Sequence, residues 1–217
     1  MSSQQRVRVS VANLVPCFPE TGNSCFFGIL NPTIYNKEKR RQYQALGGGT
    51  LLTLEGKQRL EVEFDAQDLT HGLDARFTIP AFVLERVLSL FELRDPRICE
   101  NTPNREVVGE LSRMELDGID PVLAADEVRK LSFGYLGSVR QPVPEAGSDT
   151  SPLANKLPTH RLFHRFVGQA PQAVLAKMKA SAALRVFTQA ELALTDGGRH
   201  GATLAGGITI ANNLFPL

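Results

Sequence analysis

The sequence predicts a mixed-sheet domain of the α/β or α+β class, and three observations support this prediction. Residues 6–15 alternate polar or small residues with valine, which is the period of a half-buried strand. Residues 81–94 carry apolar side chains on one helical stripe, which is typical of an amphipathic helix. Predicted strands and helices then mix along the chain, without the regular alternation of a doubly wound parallel sheet.

The composition is that of an ordinary globular protein. The 217 residues are 42% hydrophobic and 22% charged, which is enough for one large domain or two small ones. A formal net charge of +1 does not indicate nucleic acid or an anionic membrane as a binding partner. We therefore expect no DNA binding and no membrane association. The sequence lacks an apolar run of a membrane span's length and a signal peptide's apolar region. Sparse cysteines without metal-ligand or redox spacing then predict reduced thiols in the cytoplasm.

The N-terminal half of the chain is predicted to alternate short strands with loops and helices. The first strand is expected to end at Pro16, because proline interrupts a strand ladder. The expected elements that follow are a strand at 25–31, a solvated loop or turn at the charge run 36–43, a short helix at 53–64 and a strand at 74–80. For the charge run, the alternative is phosphate binding by Lys37, Lys39, Arg40 or Arg41.

The C-terminal half is predicted to begin with a helix from Thr102 to about Met114. A stretch rich in proline, glycine and serine, residues 141–158, is expected to form a loop. The other expected elements are strands at 130–140 and 159–168, a helix at 171–182, and a strand that passes into a turn at 183–192.

The stretch ENTPNREVVGEL, residues 100–111, raises the main functional question. Thr102 can cap a helix, and Pro103 is tolerated at the first helical position, where the N–H has no partner. On that helix Glu106 and Glu110 are four residues apart and share one face. Such a pair of carboxylates either holds a divalent cation or is simply solvated, and the base rate for exposed glutamates favours solvation.

Other residues offer phosphate-binding chemistry. Three consecutive glycines, Gly47, Gly48 and Gly49, allow a tight turn or a close approach of the backbone to a ligand. Arg161 and Arg165 are four residues apart and could receive a phosphate, since the guanidinium group binds phosphate with two hydrogen bonds. Ordinary surface exposure is the alternative for both arginines.

The glycines, the R-E-V-V-G-E-L helix and the later FTQAEL turn together resemble the Nudix family. Its pattern is G-x5-E-x7-R-E-U-x-E-E-x-G-U, where U is aliphatic. Arg105 and Glu106 match the R-E of this pattern, Val107 matches the aliphatic position, and Glu110 matches the second glutamate of the E-E pair. The resemblance implies a Nudix-like α/β/α sandwich with a mixed sheet.

The sequence also departs from the Nudix pattern. Gly109 stands in place of the first glutamate of the E-E pair, and Arg97 stands where the earlier glutamate would fall. The glycine after the pair is missing, and residues 50–100 form an insertion between the glycine loop and the helix. Segments such as YQALGGG, FELRDP and PNREVVGEL look similar to the divergent SMODS-associated Nudix branch, which is linked to bacterial anti-phage systems that use nucleotide second messengers.

The resemblance implies one domain over residues 1–217 and a nucleotide-derived ligand. In the family, the glutamates hold Mg²⁺ or Mn²⁺ against a diphosphate, so Glu106 and Glu110 become the expected metal ligands, and Arg105 braces them. Because Gly109 removes a carboxylate, we expect a degenerate sensor or accessory component with a diphosphate or cyclic nucleotide ligand, and possible defence-system protein partners. An active Mg²⁺- or Mn²⁺-dependent hydrolase and an interaction module without a ligand are the alternatives.

A third carboxylate ligand would have to come from outside the predicted helix face. Glu115 follows the helix in the sequence, and Glu145 and Asp149 lie in the predicted loop. The sequence alone does not place any of the three near Glu106. One cation held by two carboxylates, waters and substrate phosphates therefore remains the simplest expectation.

Overall fold

The chain folds as a mixed α/β protein with parallel and antiparallel strand pairs and several helices, in a computed structural model that describes residues 5–20, 23–69, 72–141 and 157–214. The strands are Arg6–Glu20 (β1), Asn23–Leu30 (β2), Gln42–Gly49 (β3), Arg76–Pro80 (β4), Ser132–Gln141 (β5), Thr159–Gln169 (β6), Leu184–Phe187 (β7), Ala202–Thr203 (β8) and Thr209–Ile210 (β9). The helices are Pro32–Glu38 (α1), Leu54–Phe64 (α2), Leu84–Glu92 (α3), Asn104–Ser112 (α4), Ala125–Val128 (α5), Gln172–Ala180 (α6) and Gln189–Ala193 (α7).

The described residues fall into two compact units, and several strands contribute to both. Unit 1 contains residues 5–13, 49–69, 72–102, 137–141 and 157–164, and unit 2 contains residues 14–20, 23–48, 103–136 and 165–214. The described part of the predicted insertion at 50–100 therefore belongs to unit 1, whereas α4 belongs to unit 2.

Unit 1 is built around an antiparallel pair of strands covered by helices. The first residues of β1 pair with β4, from Arg6 opposite Pro80 to Ser10 opposite Arg76. The apolar faces of α2 and α3 pack on this core, where Phe77 stacks on Phe91 with ring centroids 6.0 Å apart. Periodic apolar residues thus form the predicted helices and strands, because burying one face of each element drives their packing.

Unit 2 contains the mixed part of the sheet. Strand β2 pairs antiparallel with β3, with β7 and with the end of β1, while β3 pairs in parallel with β9. Aromatic side chains fill its interior: Phe18 meets Phe27 edge to face at 5.8 Å, and Tyr43 meets Phe187 at 5.5 Å. The parallel pairing of β3 brings the C-terminal segment beside the strand that carries Gly47 and Gly48.

Several boundaries differ from the sequence prediction. Strand β1 continues through Pro16 to Glu20. The fixed φ of proline is compatible with extended backbone, and each proline removes only one N–H donor from the strand pairing. The start of the charge run belongs to α1 and its end to β3, which differs from the predicted turn. Residues 37–41 are exposed as predicted, whereas Tyr43 is buried in the core. Phe82, one of the apolar residues of the helix predicted at 81–94, is 73% exposed because the chain forms a 3-10 turn before α3 begins.

Most of the predicted loop at 141–158, including Glu145 and Asp149, lies outside the described residues. Among the helices that the structure describes, none has the length and apolar character needed to cross a membrane.

The start of α2 gives a direct test of local helix energetics. The Thr53 hydroxyl accepts a hydrogen bond from the Gly56 backbone N–H at 2.8 Å, which satisfies one of the unpaired donors of the first turn. We expect Thr53→Ala to lower the free energy of unfolding by about 1 kcal/mol, and Thr53→Ser to restore most of it. Urea denaturation of the two variants beside the wild type measures this, and equal stability of Thr53→Ala would contradict the assigned cap.

Candidate functional site

Helix α4 presents its two glutamates beside a buried apolar stripe. Val107 and Leu111 are fully buried, so the face of the helix that carries them is fixed against the rest of unit 2. Glu106 and Glu110 directly precede these residues and are partly buried. The helix begins at Asn104, with Pro103 at the cap position and no side-chain cap, so the predicted capping role of Thr102 is wrong.

The backbone of Gly47 is bound directly by Glu110. Its N–H donates a hydrogen bond of 2.6 Å to Glu110 Oε2. Gly47 has a φ of 101°, a backbone conformation that residues with a side chain rarely adopt, so a glycine is needed at this position. The predicted glycine loop is instead the end of strand β3, and the strand lies against the carboxylate face of α4.

Glu106 lies against the next glycine along the strand. A Cβ atom on Gly48 would stand 2.9 Å from Glu106 Oε2 and 3.0 Å from its Cδ, so a side chain at this position would displace the carboxylate. The other oxygen of the group, Oε1, is ion-paired with the guanidinium of Arg105. Four residues from the sequence prediction, Gly47, Gly48, Glu106 and Glu110, therefore meet in unit 2 of the structure.

Burial dominates the electrostatics of Glu110. Burial raises the pKa of Glu110 to about 8; the hydrogen bond from Gly47 opposes this rise, the charge of Glu106 adds to it, and a side-chain hydrogen bond from Gln44 opposes it. A nearby cation would favour the ionised form of Glu110 and offset the burial of its charge. The pair is thus suited to a positively charged ligand.

Gln44 lies beside Glu110 and Asn31 beside Gln44, and the sequence analysis predicted neither. Gln44 Oε1 accepts a hydrogen bond from Asn31 Nδ2 at 3.0 Å, and the Gln44 side chain also bonds Glu110. Asn31 caps α1 by accepting a hydrogen bond from Ile34 N at 3.2 Å. The Asn31-Pro32 pair is a recognisable start of a helix, but nothing in the sequence connects it to Glu110.

Gly109 occupies open space on α4. A Cβ atom there would have no heavy atom within 4 Å, apart from the chain neighbours and the backbone of the helix itself. A side chain at this position therefore meets no steric obstacle at its Cβ atom.

Gly48 and Gly109 form a matched pair for substitution. We expect Gly109→Ala to raise the free energy of unfolding by about 0.5–1 kcal/mol, since alanine is the better residue in a helix interior. Gly48→Ala should instead displace the Glu106 carboxylate and weaken Mn²⁺ binding with little gain in stability. Chemical denaturation and Mn²⁺ titration of both variants test this contrast, which would be absent if Gly48 were not in contact with Glu106.

The structure gives the remaining predicted residues other neighbours within their own units. Gly49 lies in unit 1, where a Cβ atom would stand 3.4 Å from Asp74 Oδ1. Arg161, also in unit 1, donates a hydrogen bond of 3.2 Å to Gln141 Oε1.

Arg165 lies in unit 2, where burial lowers its pKa and the neighbouring titratable groups are Cys17 and Tyr135. Arg97 is exposed and pairs with Asp95 at 2.6 Å.

The two carboxylates could hold a single hard cation. Mg²⁺ is commonly held by one or two carboxylates together with waters and substrate phosphates, and Glu106 and Glu110 supply this donor set. In the described part of the chain, no group of three or more His, Cys, Asp or Glu side chains could hold a metal ion, so Glu115 does not complete a cluster there. This donor set does not support a cluster of several metal ions.

Comparison with protein-family models found no match, and searches of curated proteins and of solved structures found no significant match. The Nudix resemblance therefore stays a prediction from the sequence.

Proposed function

We propose that this protein is a Nudix-like domain that binds a nucleotide-derived ligand carrying a diphosphate or a phosphodiester. The observation that carries this proposal is the pairing of consecutive glycines with the two carboxylates of one helix, Gly47 with Glu110 and Gly48 with Glu106. Glycine at both positions leaves backbone next to the carboxylates, where a ligand phosphate and its counter-ion need room.

In this proposal Glu106 and Glu110 hold one Mg²⁺ or Mn²⁺, which supplies the positive charge that a diphosphate needs. Arg105 orients Glu106 through their ion pair. Gly109 leaves one fewer carboxylate on the helix face than the Nudix pattern has, which favours binding over hydrolysis. Arg161, Arg165 and Gly49 remain proposed ligand-binding residues. A role as a sensor or accessory component of a nucleotide-signalling anti-phage system follows only from the resemblance.

A metal-dependent hydrolase is the second candidate, and one observation favours it. Glu110 has a pKa raised to about 8, and a general base works best when its pKa lies near the operating pH. In that case Glu106 would hold the cation, and Glu110, ionised beside it, would take the proton from the water that attacks phosphorus.

Thermal unfolding with and without ligands tests the binding proposal. The wild type would be melted with ADP, ADP-ribose and cyclic dinucleotides, each with Mg²⁺ or Mn²⁺, beside a Glu106→Gln, Glu110→Gln double variant. We expect at least one nucleotide to raise the melting temperature of the wild type and not of the double variant. The absence of any shift in the wild type would overturn the proposal for these ligand classes and favour the interaction module.

Phosphate and nucleotide release from the same panel separates binding from hydrolysis. The informative variant is Gly109→Glu, because a Cβ atom at Gly109 meets no neighbouring atom and the Nudix pattern has a carboxylate at this position. A degenerate binder predicts no turnover by the wild type. Metal-dependent turnover by the wild type that the double variant lacks would establish the hydrolase instead, and turnover gained only by Gly109→Glu would support a degenerate site.

A further inference from the structure

The Glu110 carboxylate is held by a chain of side-chain amides that starts at the N-terminus of α1. The Ile34 backbone N–H donates to Asn31 Oδ1 at 3.2 Å, so the oxygen of the Asn31 amide is already engaged. The Asn31 nitrogen must then face Gln44, and it donates to Gln44 Oε1 at 3.0 Å. Because Gln44 Oε1 accepts from Asn31, the Gln44 NH₂ group is the one that donates to the Glu110 carboxylate.

The orientation of each amide in this chain is therefore set by the one before it. An amide can offer either its oxygen or its NH₂ group, and the two ends favour opposite partners. With both orientations fixed, Glu110 faces two donors, the Gln44 NH₂ group and the Gly47 N–H. Two donors complement an ionised carboxylate, which only accepts hydrogen bonds and is the form that binds a cation.

Helix α1 is itself fixed to the segment that follows α4. Asn36 Nδ2 donates to the Glu115 carbonyl oxygen at 3.0 Å, and the Asp117 backbone N–H donates to Asn36 Oδ1 at 3.0 Å. Lys39 forms an ion pair with Asp117 at 2.6 Å. One end of α1 thus contacts the chain just beyond α4 while the other leads to Glu110, so the position of α1 is tied to that of α4.

We propose that Asn31 and Gln44 are positioning residues that set the cation affinity of Glu106 and Glu110 through this amide relay. The inference rests on the proposed cation site, but it assigns a role to residues that lie outside both the glycines and the helix. Outer partners of metal ligands commonly change metal affinity by about 10–100-fold when they are replaced.

Asn31→Asp is the sharpest test, because it reverses the relay without removing the cap of α1. Aspartate is as good an N-cap residue as asparagine, so the helix should still form. Its second oxygen cannot donate, so the Gln44 amide turns to donate to it and presents its own oxygen to Glu110. We expect Mn²⁺ binding, measured by electron paramagnetic resonance, to weaken about tenfold although the variant adds a negative charge near the site.

Two further variants complete this experiment. Gln44→Leu removes the donor to Glu110 and should weaken Mn²⁺ binding to a similar extent. Thr33→Asp adds the same charge to the exposed first turn of α1 without touching Gln44, and should not weaken it. If Asn31→Asp binds Mn²⁺ as tightly as the wild type or more tightly, the relay is wrong while the proposed cation site stands.

A measurement without metal separates failure of the relay from failure of the proposed function. In EDTA at pH 9, Asn31→Asp should lower the melting temperature in the wild-type background and lower it less in a Glu110→Gln background. The glutamine NH₂ group at position 110 can pair with a reversed Gln44 amide, which explains the expected difference. Equal shifts in melting temperature in both backgrounds would overturn the relay. A wild type that binds no Mn²⁺ would overturn the cation site. The relay would then be decided by this double-mutant cycle in EDTA alone.

Discussion

Replacing Glu110 with glutamine is expected to stabilise the metal-free protein above pH 8, by about 3 kcal/mol. The pKa of Glu110 is raised from 4.5 to about 8 in the folded chain, chiefly by burial. Between these two values the folded state holds a proton that the unfolded state has lost, so the free energy of unfolding falls as pH rises. Glutamine has no charge to bury and can still accept the Gly47 N–H. Its NH₂ group meets the Gln44 NH₂ group, which offsets part of the gain. Partial exposure of Glu110 to solvent reduces the effect below that of the full pKa difference.

Urea denaturation in EDTA at pH 5 and at pH 9 measures this difference. The variant and the wild type should differ little near pH 5, where most of the Glu110 carboxyl is protonated in the folded state. The gap should open as pH rises through 8. A variant that is less stable than the wild type at pH 9 would show that the Glu110 carboxylate stabilises the fold, which contradicts the electrostatics described above.

This expected gain links stability to function. A carboxylate that destabilises the metal-free protein, yet is oriented by Gly47 and Gln44, is better explained by a ligand than by folding. Addition of Mn²⁺ should therefore stabilise the wild type and leave Glu110→Gln largely unchanged, because binding to the folded state raises its stability.

His164 is expected to give the opposite pH dependence, in unit 1. Burial lowers the pKa of this fully buried imidazole from 6.5 to about 4; the charge of Arg94 lowers it further, while Glu92 opposes the shift. The unfolded chain then binds a proton more readily than the folded one, so stability is present above pH 6.5 and lost as pH falls through 4. The loss attributable to His164 should amount to about 3 kcal/mol.

The variant His164→Asn isolates this contribution. Asparagine can still hydrogen-bond the Ser138 hydroxyl, which lies 2.8 Å from His164 Nδ1, but it does not titrate. Its smaller side chain lowers stability at every pH, so the informative quantity is the slope of the unfolding free energy between pH 6.5 and 4. We expect a shallower slope in the variant, measured by urea denaturation. An unchanged slope would show that His164 is protonated in the folded protein as readily as in the unfolded one.

The sequence predicted the longer elements because their patterns follow from burial. The apolar stripe of α3 and the alternation at the start of β1 both report a face that must leave water. Boundaries were less predictable where two local rules compete. Pro16 lies inside β1 because pairing continues beyond it, and Thr102 does not cap α4 because the helix begins after Pro103.

The candidate site was predictable only in part. Helical spacing alone placed Glu106 and Glu110 on one face, and the glycines suggested a close approach of the backbone. The contact between Gly47 and Glu110 joins residues 63 positions apart in the chain, so local patterns could not show it. Gln44 and Asn31 are ordinary polar residues in the sequence, and their role depends on the pairing of β2 with β3 and on the position of α4.

The central claim is that Glu106 and Glu110 form one cation site for a nucleotide ligand. The most direct measurement is the number of Mn²⁺ ions bound per chain, determined by electron paramagnetic resonance in the presence of ADP. We predict one bound ion in the wild type and none in the Glu106→Gln, Glu110→Gln double variant. Equal binding by both proteins, or no binding by the wild type, would contradict the account.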